Sequence, residues 1–547
     1  MQIQVKTVSP LEKVFCRPDL NAKEMTRLSG LRGEIVSFQI AVQADFRADA
    51  SCRVCSEREL EIRVRETGLV PCTIPAMRED PFVLTSLPGL FPDPLLPIEN
   101  GWIYLSPYNW HSFWISVRIP EDAAPGEKIL KMEVNVRDFY HPERILSRQM
   151  SLPLEIVPER LPEQKLKNIN WFYADCIMTR YKVECWSPEH WELLGKYFRN
   201  MAEHGNNILL TPLWTVPLDT GVGRERPTVQ LLEISLENGV YHFDFSRLAK
   251  WIALAKECGI QMFEMSHAFT QWGAKFTPKI MVKVDGREEK RFGWHVAADS
   301  PEYAKFLRAL MAELIPFLKE QGLEKKCYFH VSDEPTLEDL ESYRKAMALM
   351  KSAVGEFPIL DALSRIEFLE QGISEYPVPG TPEIDTFMKA SPKERWVYYA
   401  GFWENGLPNR QFGMPSIRNR IMGTLLYLYH LDGFLHWGYN FWYTAHCLDL
   451  EIDPYQVTDA GRKFCGGGSF MVYPGKNGPV DSLHFEVFRD GLQDLRAMRR
   501  LEEKIGRDAV VALIHEGLSY SISMTRYPHD AEWLLEMRTR INRHLAK

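Results

Sequence analysis

Two neighbouring acids, Asp333 and Glu334, close an apolar run that begins at Cys327, and Pro335 follows them at once. Two ionisable groups at the end of an apolar strand need a cleft, a partner or a ligand. Neighbouring side chains on a regular strand point to opposite faces, but Pro335 interrupts the strand, so both acids can turn toward one site. Mutual repulsion and partial burial raise at least one pKa of such a pair, as a carboxylic acid that donates a proton near neutral pH requires. The alternative, that one acid caps the next helix or pairs with Lys or Arg, stands beside it on spacing alone. Other apolar runs are also followed by acids and aromatics. These are Tyr173 and Asp175, Trp214, His267 with Gln271 and Trp272, Asp361, Trp403 and Glu404, and the group His436, Trp437, Tyr439, Asn440 and Trp442. Indole faces stack on sugar rings, so several tryptophans beside a few carboxylates form the lining a glycosidase needs and point to a carbohydrate ligand. Any single one of these tryptophans also reads as core.

Positioning such groups requires a scaffold that gathers the ends of many strands. From the start to about residue 160 the apolar pattern has period two, as in Phe113-Trp114-Ile115-Ser116-Val117-Arg118-Ile119 and Met132-Glu133-Val134-Asn135-Val136, which predicts a β-sandwich. Val157 to Glu163, with two prolines, reads as a linker. Short apolar runs then alternate with amphipathic helices. Strands are expected at Ile169–Phe172, Ile208–Leu210, Met262–Met265, Cys327–Val331, Ile359–Leu363, near Glu383–Phe387, at Trp396–Ala400 and at Gly433–Phe441. Eight such units predict a (β/α)8 TIM-like barrel, with an open doubly wound sheet as the alternative. From Ser482 on, Phe488, Leu492, Leu495, Met498 and Leu501 recur at helical spacing. The expected organisation is an α/β chain with an N-terminal β-sandwich over 1–160, a barrel over 165–480 and C-terminal helices over 481–547.

The 547 residues suffice for several units, and 65 Lys plus Arg against 73 Asp plus Glu give a net charge of −8 without a basic block, so nucleic acid is not an expected partner. No run reaches the ~18 uninterrupted apolar residues of a membrane span. The N-terminus MQIQVKTVSP lacks a basic segment followed by an apolar one, so a cytoplasmic location is expected. The ten cysteines are scattered and read as reduced thiols. His267, His330 and His436 fall on different predicted strands without metal-ligand spacing, and no metal or cofactor is expected. The glycine-rich Cys465–Ser469 lacks the lysine of a phosphate loop and reads as a turn.

Several motifs in register resemble the catalytic domain of glycoside hydrolase family 123. They are His330-Val331-Ser332-Asp333-Glu334-Pro335, Arg395-Trp396-Val397-Tyr398-Tyr399, Pro408-Asn409-Arg410, Gly433 to Trp442, Asp453-Pro454, Tyr473-Pro474-Gly475 and Arg489-Asp490-Gly491-Leu492-Gln493-Asp494. The resemblance covers roughly residues 165 to 505 and implies a retaining β-N-acetylgalactosaminidase assisted by the substrate's own acetamido group. It makes Glu334 the acid and base, and Asp333 the residue that orients the acetamido nitrogen. Tyr398 or Tyr439 is then the candidate for holding the acetamido oxygen. The implied partner is a glycan carrying a β-linked N-acetylhexosamine. The segment Gly401 to Gly406, with Glu404, and Gly413-Met414-Pro415 depart from the family pattern, which bears on substrate preference. Two rivals stand beside this reading. One is a retaining glycosidase on plain sugars with Glu334 as acid and Glu404 as nucleophile, and the other a non-catalytic sugar-binding protein.

Overall fold

The computed structural model describes residues 1–547 except 57–59, 78–79 and 402–404. It is a mixed α/β chain in which alternating apolar strands come first and βα units follow. The first part holds two five-stranded sheets. One runs in the order Ile3–Val8, Ile35–Ala44, His111–Arg118, Glu61–Cys72, Gly89–Leu96. The other runs Leu28–Arg32, Ile145–Arg160, Gly126–Asp138, Ala48–Ser56, Ile103–Leu105. In Gly126–Asp138 the buried positions Leu130, Met132, Val134 and Val136 alternate with more open ones, as a strand with one covered face requires. They meet Phe38, Ile40, Val42, Phe113, Ile115 and Val117 of the facing sheet in one apolar core.

The segment expected as a linker is the end of a strand, since Ile145–Arg160 runs through Pro158. Its pairing with Leu28–Arg32 is parallel and slips between Val157 and Arg160. Pro158 has no N–H to give, and the slip falls at that point. Pairing with Gly126–Asp138 has already ended at Ile156, which leaves this stretch of the strand unpaired on that side.

Eight short parallel strands follow, numbered here by their order in a ring. They are Lys167–Asn170, Ile208–Thr211, Met262–Met265, Cys327–Tyr328, Leu360–Ala362, Tyr376–Val378, Trp396–Tyr398 and Gly433–His436. Ladders join strands one to two, two to three, three to four, five to six, seven to eight and eight back to one. Single parallel bridges, Phe329 to Ile359 and Gly380 to Tyr398, join four to five and six to seven. Helices stand between successive strands, among them Pro188–Glu203, Pro301–Glu320, Leu340–Val354 and Ile417–Leu428. The sequence marks where they start: Ser187 accepts from the backbone N–H of His190, with Pro188 at the first helical position. After the eighth strand come Leu483–Ile505, capped by Ser482, then Arg507–Ile514 and Ala531–Leu545.

The sixth strand differs from expectation. It is Tyr376–Val378, three residues with a central proline, too short to carry a pattern. Glu383–Phe387 instead turns into the helix Ile384–Lys389, whose Ile384 and Phe387 bury one helical face at a spacing of three. A four-stranded sheet also went unforeseen. Its strands, Val240–Asp244, Glu233–Glu237, Ile280–Val284 and Arg287–Phe292, are inserted after ring strands two and three. Among the described residues no helix is long and apolar enough to cross a membrane.

Candidate active site

Ring strand four delivers the acidic pair. Its continuation is held on both sides, by the N–H of Phe269 on the Val331 carbonyl at 2.9 Å and by the N–H of Leu360 on the Phe329 carbonyl at 2.8 Å. The strand conformation then breaks at Glu334, whose φ is +46°. A left-handed turn at a residue with a Cβ is unfavourable, and it is locked by the Glu334 N–H donating to the Ala362 carbonyl at 3.0 Å. The turn abolishes the alternation that sends neighbouring strand side chains to opposite faces. Asp333 is half-buried and Glu334 exposed. The Tyr398 hydroxyl, at the end of ring strand seven, donates to Glu334 Oε1 at 2.6 Å. Burial, then the charges of Glu334 and Asp361, push the Asp333 carboxyl well above its ordinary value, against the pull of His330. The pair therefore keeps a proton at pH values where an isolated aspartic acid has lost it.

Beneath Asp333 lies a buried proton network. His330 Nε2 is 2.7 Å from Glu264 Oε2 on ring strand three, and its Nδ1 is 3.3 Å from Asp361 Oδ1 on ring strand five. Asp361 also accepts from the Val331 N–H at 3.0 Å and the Tyr343 hydroxyl at 2.6 Å. Burial alone would lower the His330 pKa, but hydrogen bonds and charges from Asp361 and Glu264 outweigh it and raise it to about 9. The imidazole of His267 stacks on His330 at 4.3 Å. Burial and that neighbouring charge hold it well below its ordinary pKa, hence neutral. His267, His330 and Asp361 lie close enough to be weighed as a metal cluster. An imidazolium has no lone pair for a cation, and both His330 nitrogens already serve carboxylates, so these donors fit a proton network better. In a second close group, His204, Asp481 and Glu486, both carboxylates pair with Arg65, and His204 lies 3.5 Å from Glu486.

The structure brings some sequence-predicted residues to the pair and holds others apart. Trp272 stands beside it: its backbone N–H donates to the Asp333 carbonyl at 2.9 Å and its side chain is exposed. Trp437 is half-buried, with its carbonyl accepting from the Tyr173 hydroxyl at 2.7 Å, and Tyr173 lies within electrostatic reach of Asp333. His436 is buried, its Nδ1 accepting from Arg410 at 2.7 Å and from the Gly438 N–H at 3.0 Å. Burial, followed by the charge of Arg410, keeps it neutral.

Like His436, four further residues expected to contact substrate have side chains already engaged inside the fold. Asp175 is buried and gripped by Arg226 at 2.8 and 2.9 Å. Trp214 is fully buried with its indole N–H on the His267 carbonyl. Trp442 is buried with its indole N–H on the Val472 carbonyl. Tyr439 is buried with its hydroxyl on Asn200 at 2.7 Å, which leaves Tyr398 as the tyrosine at the pair. Trp403 and Glu404 lie outside the described residues. Sequence reasoning missed Asp219 and His446, which sit in long loops after ring strands two and eight. A turn-forming Asp-Thr-Gly at 219–221 was the one local signal.

Replacing Tyr398 by Phe removes the hydroxyl that donates to Glu334 and leaves the ring. A hydrogen bond to a charged group contributes about 1.5–3 kcal/mol, so kcat/KM is expected to fall roughly ten- to hundredfold. The thermal midpoint should stay near wild type. Unchanged kinetics would reduce Tyr398 to packing.

An acidic pair turned out at strand ends, beside an exposed indole and a tyrosine, is the arrangement the sequence leads one to expect of a glycosidase. Residues 171–501 match the family model "Glycoside hydrolase 123, catalytic domain", and the chain belongs to that family and is a glycoside hydrolase. Among solved structures, a family 123 glycoside hydrolase from Clostridium perfringens, described for glycolipid glycan hydrolysis, is similar over 100% of this chain and 97% of its own, with a TM-score of 0.74 at 15% identity. The Escherichia coli chaperone DraB matches over 30% of this chain and 58% of its own, with a TM-score of 0.16 at 9% identity, too low to carry an argument. No curated protein matches.

Proposed function

We propose that this chain is a retaining β-N-acetylhexosaminidase, β-N-acetylgalactosaminidase-like, that works by substrate assistance. Residues 165–480 are read as a (β/α)8 barrel that carries the site, 1–160 as an accessory β-sandwich and 481–547 as helices packed on the barrel. Glu334 protonates the glycosidic oxygen as the acetamido carbonyl oxygen attacks the anomeric carbon, which expels the aglycone and leaves an oxazolinium ion. Asp333 accepts the acetamido N–H and stabilises the charge that develops there. Glu334, now a carboxylate, removes a proton from the water that opens the ring, and configuration is retained over the two displacements.

The observation that carries this reading is the left-handed backbone of Glu334 directly after Asp333. It lets two sequence neighbours serve one mouth, yet neighbours cannot flank a sugar as the acid and nucleophile of a direct double displacement do, with carboxyls roughly 5 Å apart across the bond. A nucleophile from the substrate resolves that. The Clostridium perfringens structure, described for glycolipid glycans, supports an oligosaccharide substrate.

The test is hydrolysis of chromogenic β-glycosides of GalNAc, GlcNAc, galactose and glucose, with a thiazoline analogue of the oxazolinium ion as inhibitor. Cleavage confined to the N-acetyl sugars and blocked by the thiazoline is the expected result. Cleavage of plain hexosides by Asp333→Asn protein would instead move the nucleophile to Glu404.

A further inference from the structure

The loop after ring strand two brings a third acid, Asp219, to the same mouth. Its backbone N–H donates to the side-chain oxygen of Gln271. Its Oδ2 accepts from the His446 N–H at 3.1 Å, and its carbonyl accepts from Cys447 Sγ at 3.1 Å. The His446 ring meets the Trp272 ring edge-on at 5.4 Å, and Trp272 is bonded to the Asp333 backbone. Asp219 and Asp333 are therefore linked through one wall, and the charge of Asp219 acts on Asp333.

Three features separate Asp219 from a structural acid. Arg226, the cation that acts on it, is committed to Asp175 by two hydrogen bonds, so among the described residues no guanidinium pairs with Asp219 directly, and its ion-pair neighbour is the His446 imidazole, with Nδ1 3.8 Å from Oδ1. Among the described residues the carboxylate receives a single hydrogen bond, from His446, where a carboxylate has about four acceptor positions. Its side chain keeps 14% of its surface open. Burial pushes its carboxyl up to about 7, against the His446 N–H and Arg226, which marks a group short of donors. The backbone around it is costly as well. Asp219, Trp272, Glu334, His446 and Cys447 all have positive φ, from +43° to +59°. Left-handed residues with side chains concentrate where surrounding structure pays for function, and here they come from the loops after ring strands two, three, four and eight.

We propose that Asp219 is a specificity-determining residue that accepts hydrogen bonds from the ring hydroxyls of the sugar while Trp272 covers the sugar's C–H face. A carboxylate with open acceptor positions beside an exposed indole matches a pyranose, which offers hydroxyl donors at its rim and an apolar face. Asp219 thereby selects sugars by the presence and orientation of the hydroxyls that reach it. The inference rests on the reading of this mouth as a sugar site, and deepens it.

The experiment is equilibrium titration, followed by tryptophan fluorescence, with methyl β-thioglycosides of GalNAc and its 3-deoxy, 4-deoxy and 6-deoxy derivatives, which the enzyme cannot readily cleave. Wild type is compared with Asp219→Asn and Asp219→Ala, whose thermal midpoints report folding. In wild type, removal of one or two particular hydroxyls is expected to weaken binding about ten- to hundredfold, as loss of a hydrogen bond to a charged group does. Asp219→Ala should lose a similar factor on the parent sugar and almost nothing further on those deoxy sugars. Equal losses across the whole series, or wild-type affinity in both variants, would overturn the proposal. So would a wild type that binds none of the series. A wild type that binds with this hydroxyl pattern yet hydrolyses no N-acetylhexosaminide would sink the proposed reaction and support Asp219's role.

Discussion

Glu334→Gln protein is expected to cleave an N-acetylhexosaminide with an unactivated alcohol leaving group about 10³-fold more slowly than wild type in kcat/KM, in the middle of the range for a positioned general acid. That factor corresponds to roughly 4 kcal/mol of transition-state stabilisation. The same variant should lose far less in the first step on a dinitrophenyl glycoside, because a phenolate of low basicity departs without a proton. Azide should then restore turnover by replacing the water that Glu334 no longer activates. Asp333→Asn behaves differently. Its amide oxygen can still accept the acetamido N–H but carries no charge to stabilise the positive charge that develops there, so the loss should be similar whatever the leaving group and azide should not relieve it. The pH profile gives a second reading. Asp333 is pushed up by burial first and by Glu334 next, so neutralising Glu334 removes one repulsion, and the titration of Asp333 should move to lower pH. Identical leaving-group dependence in the two variants would mean that the acids do not divide the work in this way.

The acidic pair was legible in sequence because its signal is local: two acids at the close of an apolar run, followed by a proline. Its geometry was not. The sequence argument leaned on Pro335 to turn both acids to one side, whereas the structure places the turn one residue earlier, in the left-handed backbone of Glu334 and its bond to Ala362. A single φ leaves no composition trace at a residue that is not glycine. The ring strands were legible where an apolar run of adequate length stood between helical patterns, as at Met262–Met265 and Gly433–His436. Tyr376–Val378 was not, because three residues with a central proline carry no period. Trp214, Tyr439 and Trp442 were read as lining because they follow predicted strands. Each instead satisfies its polar atom inside the fold, on a backbone carbonyl or, for Tyr439, on the half-buried Asn200 amide, a long-range pairing that spacing cannot disclose. Asp219 was missed for the converse reason: its partners Gln271 and His446 lie 52 and 227 residues away.

Arg538→Met is expected to produce a large loss of stability, because it opens a buried ion network that joins the first sheets to the C-terminal helices. Arg538, on the last helix, bonds both oxygens of Glu34 at 2.7 and 2.9 Å and Asp494 at 2.7 Å. Asp494, on Leu483–Ile505, also accepts from Arg420 of Ile417–Leu428 at 2.8 Å. All four side chains are buried. Removal of one partner from a buried pair leaves an uncompensated charge in a medium that solvates it poorly, and costs about 3–5 kcal/mol. Asp494 keeps Arg420 after the substitution, but among the described residues Glu34 keeps only the N–H of Leu31, so the penalty falls mainly there. Glu34→Gln added to Arg538→Met should recover much of the loss, since the stranded charge is then gone. Denaturant unfolding of wild type, the single variant and the double variant measures this, and a double variant no better than the single would show that packing of the guanidinium, not charge, holds the joint. The pH dependence has a definite sign. Burial raises the Asp494 pKa, but Arg420 and Arg538 outweigh it and hold it below its ordinary value. Its contribution is thus present above the unfolded carboxylate value of about 4 and is lost as pH falls through the lower folded value. The gap between wild type and Arg538→Met should therefore be full near neutrality and narrow in acid, where the network loses the charge that Arg538 is there to balance.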